Sequence, residues 1–256
     1  MKSPIKYYGG KFYMSEIIIE NFPKEYDIYV EGFGGGASVL FAKEPSKIEV
    51  YNDLGQNVYS LFKTISDKDK FQRLKERLEL TYYSNQVREE YKTLLKTNLS
   101  TEDRAYYFLF VNRSSFNGVG GFSRTLIVRR GMSKSTSDYL SMIAKLPEIH
   151  DRLSRVIVDN QDILTLLKKY NNENCFLYLD PPYIQSTRKS NEKYEQEMSD
   201  EDHTKLVSTL LEHKGKILLS GYNHPIYNVL SEQWTKIDFK SPNAGSEATE
   251  SLWKNY

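Results

Sequence analysis

The chain has 256 residues, of which 39% are hydrophobic and 27% charged, with 35 basic and 34 acidic side chains. This composition is typical of a soluble globular protein and excludes a disordered or collagen-like chain. The length allows one large domain or a core with an inserted second unit. No apolar run reaches membrane length, so we expect neither a membrane span nor a signal peptide.

Cysteine and histidine usage limits the redox and metal chemistry that we expect. Cys175 is the only cysteine, which excludes an internal disulfide and a cysteine-based zinc site. The four histidines are scattered, without the spacing of a paired metal ligand, so we expect no metal. Cys175 begins an apolar run and is expected to fill the core. These features favour a cytoplasmic protein.

The first motif is Lys6-Tyr-Tyr-Gly-Gly-Lys11, which precedes a short helical pattern. A Gly-Gly pair permits a tight turn that side chains would forbid. A lysine held by such a turn suits a carboxylate or phosphate ligand. On this stretch alone, an ordinary loop with a solvated lysine is the simpler interpretation.

Residues 28–53 have the layout of a nucleotide-type cofactor site. A predicted strand, 28–31, runs into the glycine-rich turn 32–36 and then a helix over 37–42. The second predicted strand begins at Ile48 and ends at Asp53, roughly 20 residues after the glycine turn, where such folds place an acid that binds ribose. The glycine turn alone is weak evidence for a cofactor site, and Asp53 strengthens that evidence.

Residues 66–156 interrupt the alternation of strands and helices. Apolar spacing predicts helices over 71–80, 87–95 and 101–112, the last capped by Ser100 or Thr101. Glycines, a β-branched run and arginines over 119–131 predict a hairpin. The segment carries 17 basic and 11 acidic side chains, and 104–134 holds six basic residues without an acid. This pattern favours a phosphate-contacting surface over a solvated basic loop.

The alternation returns after residue 155. We expect strands at 156–159, 175–179 and 216–221, helices at 163–167 and 200–213, a mobile loop or lid at 186–199, and a final edge strand in 248–256 that contains a packed Trp253. Asp162 follows the first of these strands, where it could meet a cofactor's adenine ring or simply cap the next helix. Both interpretations stay open.

Asp180-Pro-Pro-Tyr183 follows the apolar run 175–179 directly. Two prolines end a strand, so Asp180 lies at its carboxyl end, where open α/β sheets bind ligands. A carboxylate and the carbonyl of Pro181 could accept both N–H bonds of a nucleobase amino group, while Tyr183 stacks on the base. A strand followed by a turn with a solvated aspartate explains this stretch equally well.

Taken together, the motifs resemble the Dam-like DNA adenine-N6 methyltransferases over nearly the whole length. The matching stretches are 6–11, 31–38, 52–53, 112–118, 160–162 and 180–183, in the family's order. The resemblance implies a Rossmann-like α/β fold with a mixed seven-stranded sheet. It implies a catalytic domain of residues 1–65 and 157–256 that binds S-adenosylmethionine, and a mainly helical target-recognition domain, 66–156, that carries the hairpin.

The resemblance also implies roles for individual residues. The catalytic group comprises Asp180, Pro181 and Tyr183. Cofactor contacts fall on Tyr7, Lys11, Glu31, Phe33, Gly35, Asp53, Asp162 and Asp180. DNA contacts fall on Arg113, Phe116, Asn117, Arg124, Arg129 and Arg130, with Phe116 wedging into the base stack.

The sequence departs from the family pattern at three places. The family's tryptophan is Tyr7 here, its proline is Gly32, and its last motif glycine is Ala37. We therefore expect the glycine turn to be shifted by one residue. The hairpin also differs from that of GATC-specific members, so no recognition sequence is inferred.

The sequence thus predicts a site-specific methyltransferase acting on N6 of a flipped adenine in double-stranded DNA. The expected partners are double-stranded DNA and a cognate restriction endonuclease, without metal or membrane. We expect a monomer in the cytoplasm of a bacterial or phage-infected cell. Alternatives are a cytosine-N4 methyltransferase, a DNA-binding relative without activity, and a nicotinamide oxidoreductase. The last leaves residues 180–183 and the basic segment unexplained.

Overall fold

A computed structural model describes residues 1–7, 10–184, 186, 196–240 and 249–256. The predicted lid falls mostly on residues outside this set. Over the described ranges the strands are β1 (Ile28–Glu31), β2 (Ile48–Asn52), β3 (Val128–Arg129), β4 (Met132–Ser133), β5 (Val156–Asp159), β6 (Cys175–Leu179), β7 (Lys216–Tyr222), β8 (Thr235–Lys240) and β9 (Thr249–Lys254). The helices are α1 (Ser15–Glu20), α2 (Ser38–Ala42), α3 (Gln56–Ser66), α4 (Lys68–Glu79), α5 (Asn85–Leu94), α6 (Thr101–Ser114), α7 (Lys134–Leu153), α8 (Ile163–Lys169), α9 (Asp200–Leu211) and α10 (Asn228–Gln233).

Seven strands form one mixed sheet in the order β5-β2-β1-β6-β7-β9-β8. Strand β6 pairs in parallel with β1 on one side and β7 on the other, while β9 is antiparallel to both β7 and β8. The mixed seven-stranded sheet predicted from the sequence is confirmed. Because β6 is central, Asp180 emerges from the middle of the sheet at its carboxyl edge.

The final segment corrects one expectation. Strand β9 is not an edge strand, because it lies between β7 and β8. The edge belongs to β8, which the sequence analysis missed. Its Thr-Lys-Ile-Asp-Phe-Lys pattern is half polar and no residue in it is fully buried, which is typical of an edge strand. The expected packing role of Trp253 is confirmed, since its side chain is buried.

The chain divides into two compact units, 1–10 with 35–41 and 56–158, and 11–34 with 42–55 and 159–256. We call them the helical unit and the sheet unit. These ranges follow different boundaries from the predicted domains, since α3 and the first ten residues cluster with the helical unit. The assignment of DNA recognition to 66–156 stays a prediction.

In the helical unit, the three helices predicted before residue 115 are confirmed as α4, α5 and α6. The hydroxyl of Ser100 accepts a hydrogen bond from the Asp103 amide at 3.1 Å and caps α6. Leu80 was expected on a helix face but lies just beyond α4 and is 80% exposed. The 20-residue helix α7 was not predicted, and it contains Pro147.

The sheet unit has an apolar core on which β6 depends. Every residue of β6 is buried, and Val30, Leu177 and Leu219 from adjacent strands pack with Leu206 of α9 and with Trp253. The expected burial of Cys175 is confirmed, and burial raises the pKa of its thiol to about 12. This thiol is therefore uncharged and unreactive at neutral pH.

We expect Leu177→Ala to lower the free energy of unfolding by about 2–5 kcal/mol, because it empties a fully buried position in the central strand. Ile157→Ala is the control, since Ile157 is 47% exposed on the edge strand β5. Urea denaturation of the two variants and the wild type measures the difference. Equal losses in both variants would contradict the packing described for β6.

Candidate active site and nucleic-acid interface

Asp180 is held by one of its two carboxylate oxygens. Its Oδ1 accepts a hydrogen bond from the Ser220 hydroxyl at 2.7 Å and lies 3.1 Å from the Lys11 ammonium. Both of these contacts are to Oδ1. The side chain keeps 18% of its surface exposed. The carboxylate can therefore still accept a hydrogen bond from a ligand.

The Lys11 ammonium is buried between two carboxylates. It lies 3.1 Å from Asp180 Oδ1 and 3.0 Å from Glu250 Oε2, and it also donates to the Tyr183 hydroxyl. Burial lowers the pKa of Lys11, but the charges of Asp180 and Glu250 outweigh burial and raise it. The lysine stays protonated. The predicted cofactor contact of Lys11 stays a prediction.

The same charges act on Asp180 in return. Burial raises the pKa of its carboxyl above the ordinary value, while the Lys11 ammonium and the Ser220 hydrogen bond lower it and the Glu250 carboxylate raises it. The net direction is upward. Lys11 and Ser220 therefore limit how far burial favours the protonated acid.

Tyr183 belongs to the same cluster. Its hydroxyl donates to Glu250 Oε2 at 3.3 Å, and its ring centroid lies 4.4 Å from that of Tyr222, at the end of β7. Lys11 Nζ also lies 4.6 Å from the Tyr183 ring centroid. Three of the residues expected in the site, Lys11, Asp180 and Tyr183, are thus brought together. The sequence analysis missed Ser220, Tyr222 and Glu250.

The glycine-rich turn after β1 has a left-handed backbone at two positions. Gly35 has φ 46° and Ala37 has φ 54°, both in the left-handed region that favours glycine. Ala37 therefore carries its methyl group at a position where glycine would be unstrained. An alanine in this region costs about 1–2 kcal/mol relative to an unstrained backbone. The expected one-residue shift of the turn stays a prediction.

Two tyrosine rings lie against the glycine turn, one in each compact unit. In the sheet unit, a Cβ added to Gly34 would lie 2.1 Å from the Tyr51 ring. In the helical unit, a Cβ on Gly35 would lie 2.6 Å from the Tyr7 ring. Each ring packs at a distance that only a glycine permits.

The other predicted cofactor residues in the sheet unit lie at strand ends. Glu31 is buried at the end of β1 and accepts a hydrogen bond from Tyr29 at 2.7 Å. Phe33 packs against the core of this unit. Asp53 follows β2, and its Oδ1 accepts a hydrogen bond from the Gly55 amide at 2.7 Å.

Asp162 caps α8 and accepts hydrogen bonds from the Leu164 and Thr165 amides at 3.0 and 3.3 Å. The helix-cap interpretation of Asp162 is therefore confirmed, and its contact with an adenine ring stays a prediction. Asn52, which the sequence analysis gave no contact, joins two strand ends. Its amide donates to the Gly32 and Gln161 carbonyls, both at 3.0 Å.

In the helical unit, the loop after α6 presents Phe116, which is 66% exposed. Asn117 has φ 49°, a left-handed conformation that asparagine tolerates better than most residues. Arg88, which is buried, donates to the Ser115 hydroxyl at 2.9 Å and to the Gly120 carbonyl at 2.5 Å. The exposed Phe116 ring therefore projects from a loop that the buried Arg88 side chain holds in place.

Asn112 fixes the same loop to the N-terminal segment. Its side-chain amide accepts from the Lys6 amide at 2.9 Å and donates to the Lys6 carbonyl at 2.8 Å. These two hydrogen bonds resemble the pair that residues on adjacent strands exchange. Asn112 thus has a structural role that the sequence analysis did not assign.

A hairpin is confirmed, but it lies over 128–133 and not over 119–131 as predicted. Its strands β3 and β4 are each only two residues long. Its turn places Arg130 and Gly131 at φ 55° and 73°, as in the two-residue turns that suit twisted hairpins. Leu126 is 97% exposed and Val128 73%. The hairpin therefore presents apolar side chains among its cations.

The basic residues of 104–134 differ in how far their charged groups are available to bind a ligand. Arg104 donates to the Leu95 and Thr97 carbonyls and so holds the turn before α6. Arg129 pairs with Asp138 at 2.5 Å, so an acid just outside the segment offsets part of the charge. Arg124 is exposed beside the Phe122 ring. Arg113 is half-buried, and its Nε lacks a hydrogen-bond partner within the described part of the chain.

Two general features of the described residues bear on ligands. They contain no group of three or more histidine, cysteine, aspartate or glutamate side chains arranged to hold a metal ion. None of the helices that can be described is both long enough and apolar enough to cross a membrane.

Comparison with known proteins identifies the family. Residues 7–242 match the model of the D12 class N6 adenine-specific DNA methyltransferases. The chain belongs to this family. The match covers the Lys11 turn, the glycine turn, the loop with Phe116 and Asp180–Tyr183. The D12 class model favours adenine N6 over the cytosine-N4 alternative, and it gives no support to a nicotinamide oxidoreductase.

Two relatives of this D12 class chain are modification methylases. The chain is 25% identical over 206 residues to modification methylase StsI of Streptococcus sanguinis, covering 75% of this chain and 30% of that protein. It is 24% identical over 257 residues to modification methylase LlaI of Lactococcus lactis subsp. lactis, covering 89% of this chain and 40% of that protein. The chain thus spans less than half of the length of either relative.

For this D12 class chain, we expect Gly34→Ala to lower the free energy of unfolding by about 1–3 kcal/mol, because the new methyl group overlaps the Tyr51 ring. Gly121→Ala is the matched control, since no atom lies within 4 Å of a Cβ there. Urea denaturation compares the two variants. An unchanged Gly34→Ala protein would show that the turn does not pack as described.

Proposed function

We propose that this chain transfers a methyl group from S-adenosylmethionine to N6 of an adenine flipped out of double-stranded DNA. The observation that carries the proposal is the Asp180 carboxylate, held through Oδ1 by Ser220 and Lys11 and still partly exposed. Membership of the D12 class supports adenine as the target base. Duplex substrates require flipping, because a stacked and paired amino group cannot reach a buried reaction site.

The target amino group needs two acceptors. Its nitrogen lone pair is delocalised into the ring, so the neutral group is a poor nucleophile. Asp180 Oδ2 and the Pro181 carbonyl would each accept one N–H bond, directing the lone pair toward the methyl donor. Tyr183 would stack on the base, with its hydroxyl held by Lys11 and Glu250. Catalysis is then mainly positioning of the nucleophile.

The residues present fit a nucleoside-type donor. In the sheet unit, Glu31 and Asp53 lie at the ends of adjacent parallel strands, where acids bind ribose hydroxyls in related folds. Phe33 and Asp162 of the same unit would add contacts. The cofactor contacts expected of Tyr7 and Gly35 stay predictions from the sequence. S-adenosylmethionine, when bound, supplies a methyl carbon made electrophilic by its sulfonium group. The chain supplies binding, orientation and hydrogen-bond acceptors.

The helical unit would hold the duplex. Phe116 on its anchored loop would replace the flipped base in the stack, with Asn117 beside it. Arg113, whose buried Nε has no partner among the described residues, would donate to a phosphate. Arg124, before the hairpin, and Arg129 and Arg130, within it, would contact DNA, since a two-stranded ribbon fits the major groove.

The relatives' names bear on biological context. Both are called modification methylases, which supports protection of DNA alongside a restriction endonuclease as the role of this chain. We further propose that the chain acts as a monomer in the cytoplasm of a bacterial or phage-infected cell.

We expect Asp180→Ala to lower methyl transfer by at least about 10²-fold, since it removes a fixed acceptor from the target amino group. DNA affinity should stay close to that of the wild type. Transfer of labelled methyl groups from S-adenosylmethionine to duplex DNA measures activity, and fluorescence anisotropy measures binding. Asp151→Ala, on the exposed face of α7, is the control. Full turnover by Asp180→Ala would refute the proposal.

The hairpin generates a second prediction. We expect Arg124→Ala and Arg130→Ala each to reduce the slope of log affinity against log salt by about one, because each removes one phosphate contact. Arg129→Ala should reduce it less, since Asp138 already offsets that charge. Lys145→Ala, exposed on α7, is the control. DNA titrations at several salt concentrations measure the slope for each variant. Slopes that are unchanged in all variants would exclude the hairpin from the DNA interface.

A further inference from the structure

Glu250 is a buried carboxylate for which the proposed chemistry has no direct use. It lies on β9, opposite Tyr222 of β7, and only 5% of its side chain is exposed. The acceptor role belongs to Asp180, which already has Lys11 as its counter-ion. Burying a second carboxylate is costly unless it is paired and hydrogen-bonded. A functional reason for Glu250 is therefore needed.

The hydrogen bonds of Glu250 connect the two sides of the site. Its Oε2 accepts from the Lys11 ammonium at 3.0 Å and from the Tyr183 hydroxyl at 3.3 Å. The ammonium has three protons, and Asp180, Glu250 and Tyr183 together provide three acceptors. The direction of the lysine side chain is thus set by acceptors on two separate segments, the stretch after β6 and strand β9.

This arrangement controls which oxygen of Asp180 faces a ligand. With Glu250 present, the ammonium divides its protons among Asp180, Glu250 and Tyr183, and its 3.1 Å contact with Asp180 is to Oδ1. Without Glu250, the ammonium would have a single carboxylate partner and could bridge both oxygens. Oδ2, the proposed acceptor for the target amino group, would then be occupied. Tyr183 would also lose the acceptor of its hydroxyl proton.

We propose that Glu250 is a positioning residue, which holds the Lys11 ammonium on Oδ1 of Asp180 and the Tyr183 ring in place, so that Oδ2 stays free for the target amino group. Glu250 itself touches no reacting atom. This inference rests on the proposed function, because it specifies how the acceptor of that reaction is kept available.

The charges around Asp180 provide a readout that is independent of activity. The groups that act on its carboxyl are Lys11 from the N-terminal turn, Glu250 from β9, Ser220 from β7, Tyr178 from β6 and Tyr227 after β7. Lys11 lowers the pKa of Asp180 and Glu250 raises it. Removing one charge or the other should therefore move the titration of Asp180 in opposite directions.

The experiment uses Glu250→Gln, which keeps the size of the side chain but removes its charge. We expect kcat to fall on the order of 10- to 100-fold, as for a displaced catalytic geometry, with little change in DNA affinity. In the protein without cofactor, carbon-13 NMR should show Asp180 titrating at lower pH than in the wild type. In Lys11→Met it should titrate at higher pH. The resonance is assigned with Asp180→Asn.

Two further variants sharpen the result. Glu232→Gln, exposed on α10, is the matched control and should change nothing. Glu250→Asp keeps the charge on a shorter side chain, so it should restore the wild-type direction of the titration but only part of kcat. A role confined to stability would lower the unfolding midpoint of Glu250→Gln and leave the titration of Asp180 unchanged, which overturns the inference.

The outcomes separate this inference from the proposed function. If the wild type transferred no methyl group to DNA, the proposed function would fail, while the NMR titrations would still report the Glu250–Lys11–Asp180 arrangement. If the wild type were active and Glu250→Gln matched it in kcat and in titration, the positioning role alone would be rejected.

Discussion

The buried ammonium of Lys11 between two carboxylates is the interaction on which the candidate site depends. It joins the N-terminal turn, the carboxyl end of β6 and strand β9, which are distant in the sequence. Charges taken out of water persist only when each is paired and hydrogen-bonded. The presence of all three side chains therefore fixes the backbone around them. The contacts within this cluster set the orientation of Asp180 and Tyr183.

The sheet supplies the framework for that cluster. Central β6 brings Asp180 to the carboxyl edge, β7 places Ser220 beside it, and antiparallel β9 enters between β7 and β8 to deliver Glu250. In an entirely parallel sheet, a strand would present its end and not its start at this edge. The reversed direction of β9 is thus what lets Glu250, near the beginning of its strand, reach Lys11.

The sequence predicted the elements with local signals and missed those fixed by distant contacts. Strand β6 and Asp180 were readable because an apolar run followed by two prolines has few alternatives. Glu250 was not, because a lone glutamate in a polar segment looks solvated until β9 is placed beside β7. Arg88 and Asn112 were missed for the same reason, since their partners lie on a loop more than 25 residues away or at the N-terminus. Ala37 is a further case, because its left-handed backbone, with φ 54°, cannot be read from an alanine in the sequence.

The single thiol of this chain lies at the first position of the central strand, fully enclosed and uncharged. Alkylating reagents require a thiolate in contact with solvent, so Cys175 reacts only when β6 separates from its neighbours. The rate of labelling with excess reagent therefore follows opening of the sheet at its middle, without an engineered probe. The molecule carries its own reporter of the integrity of the strand that leads to Asp180.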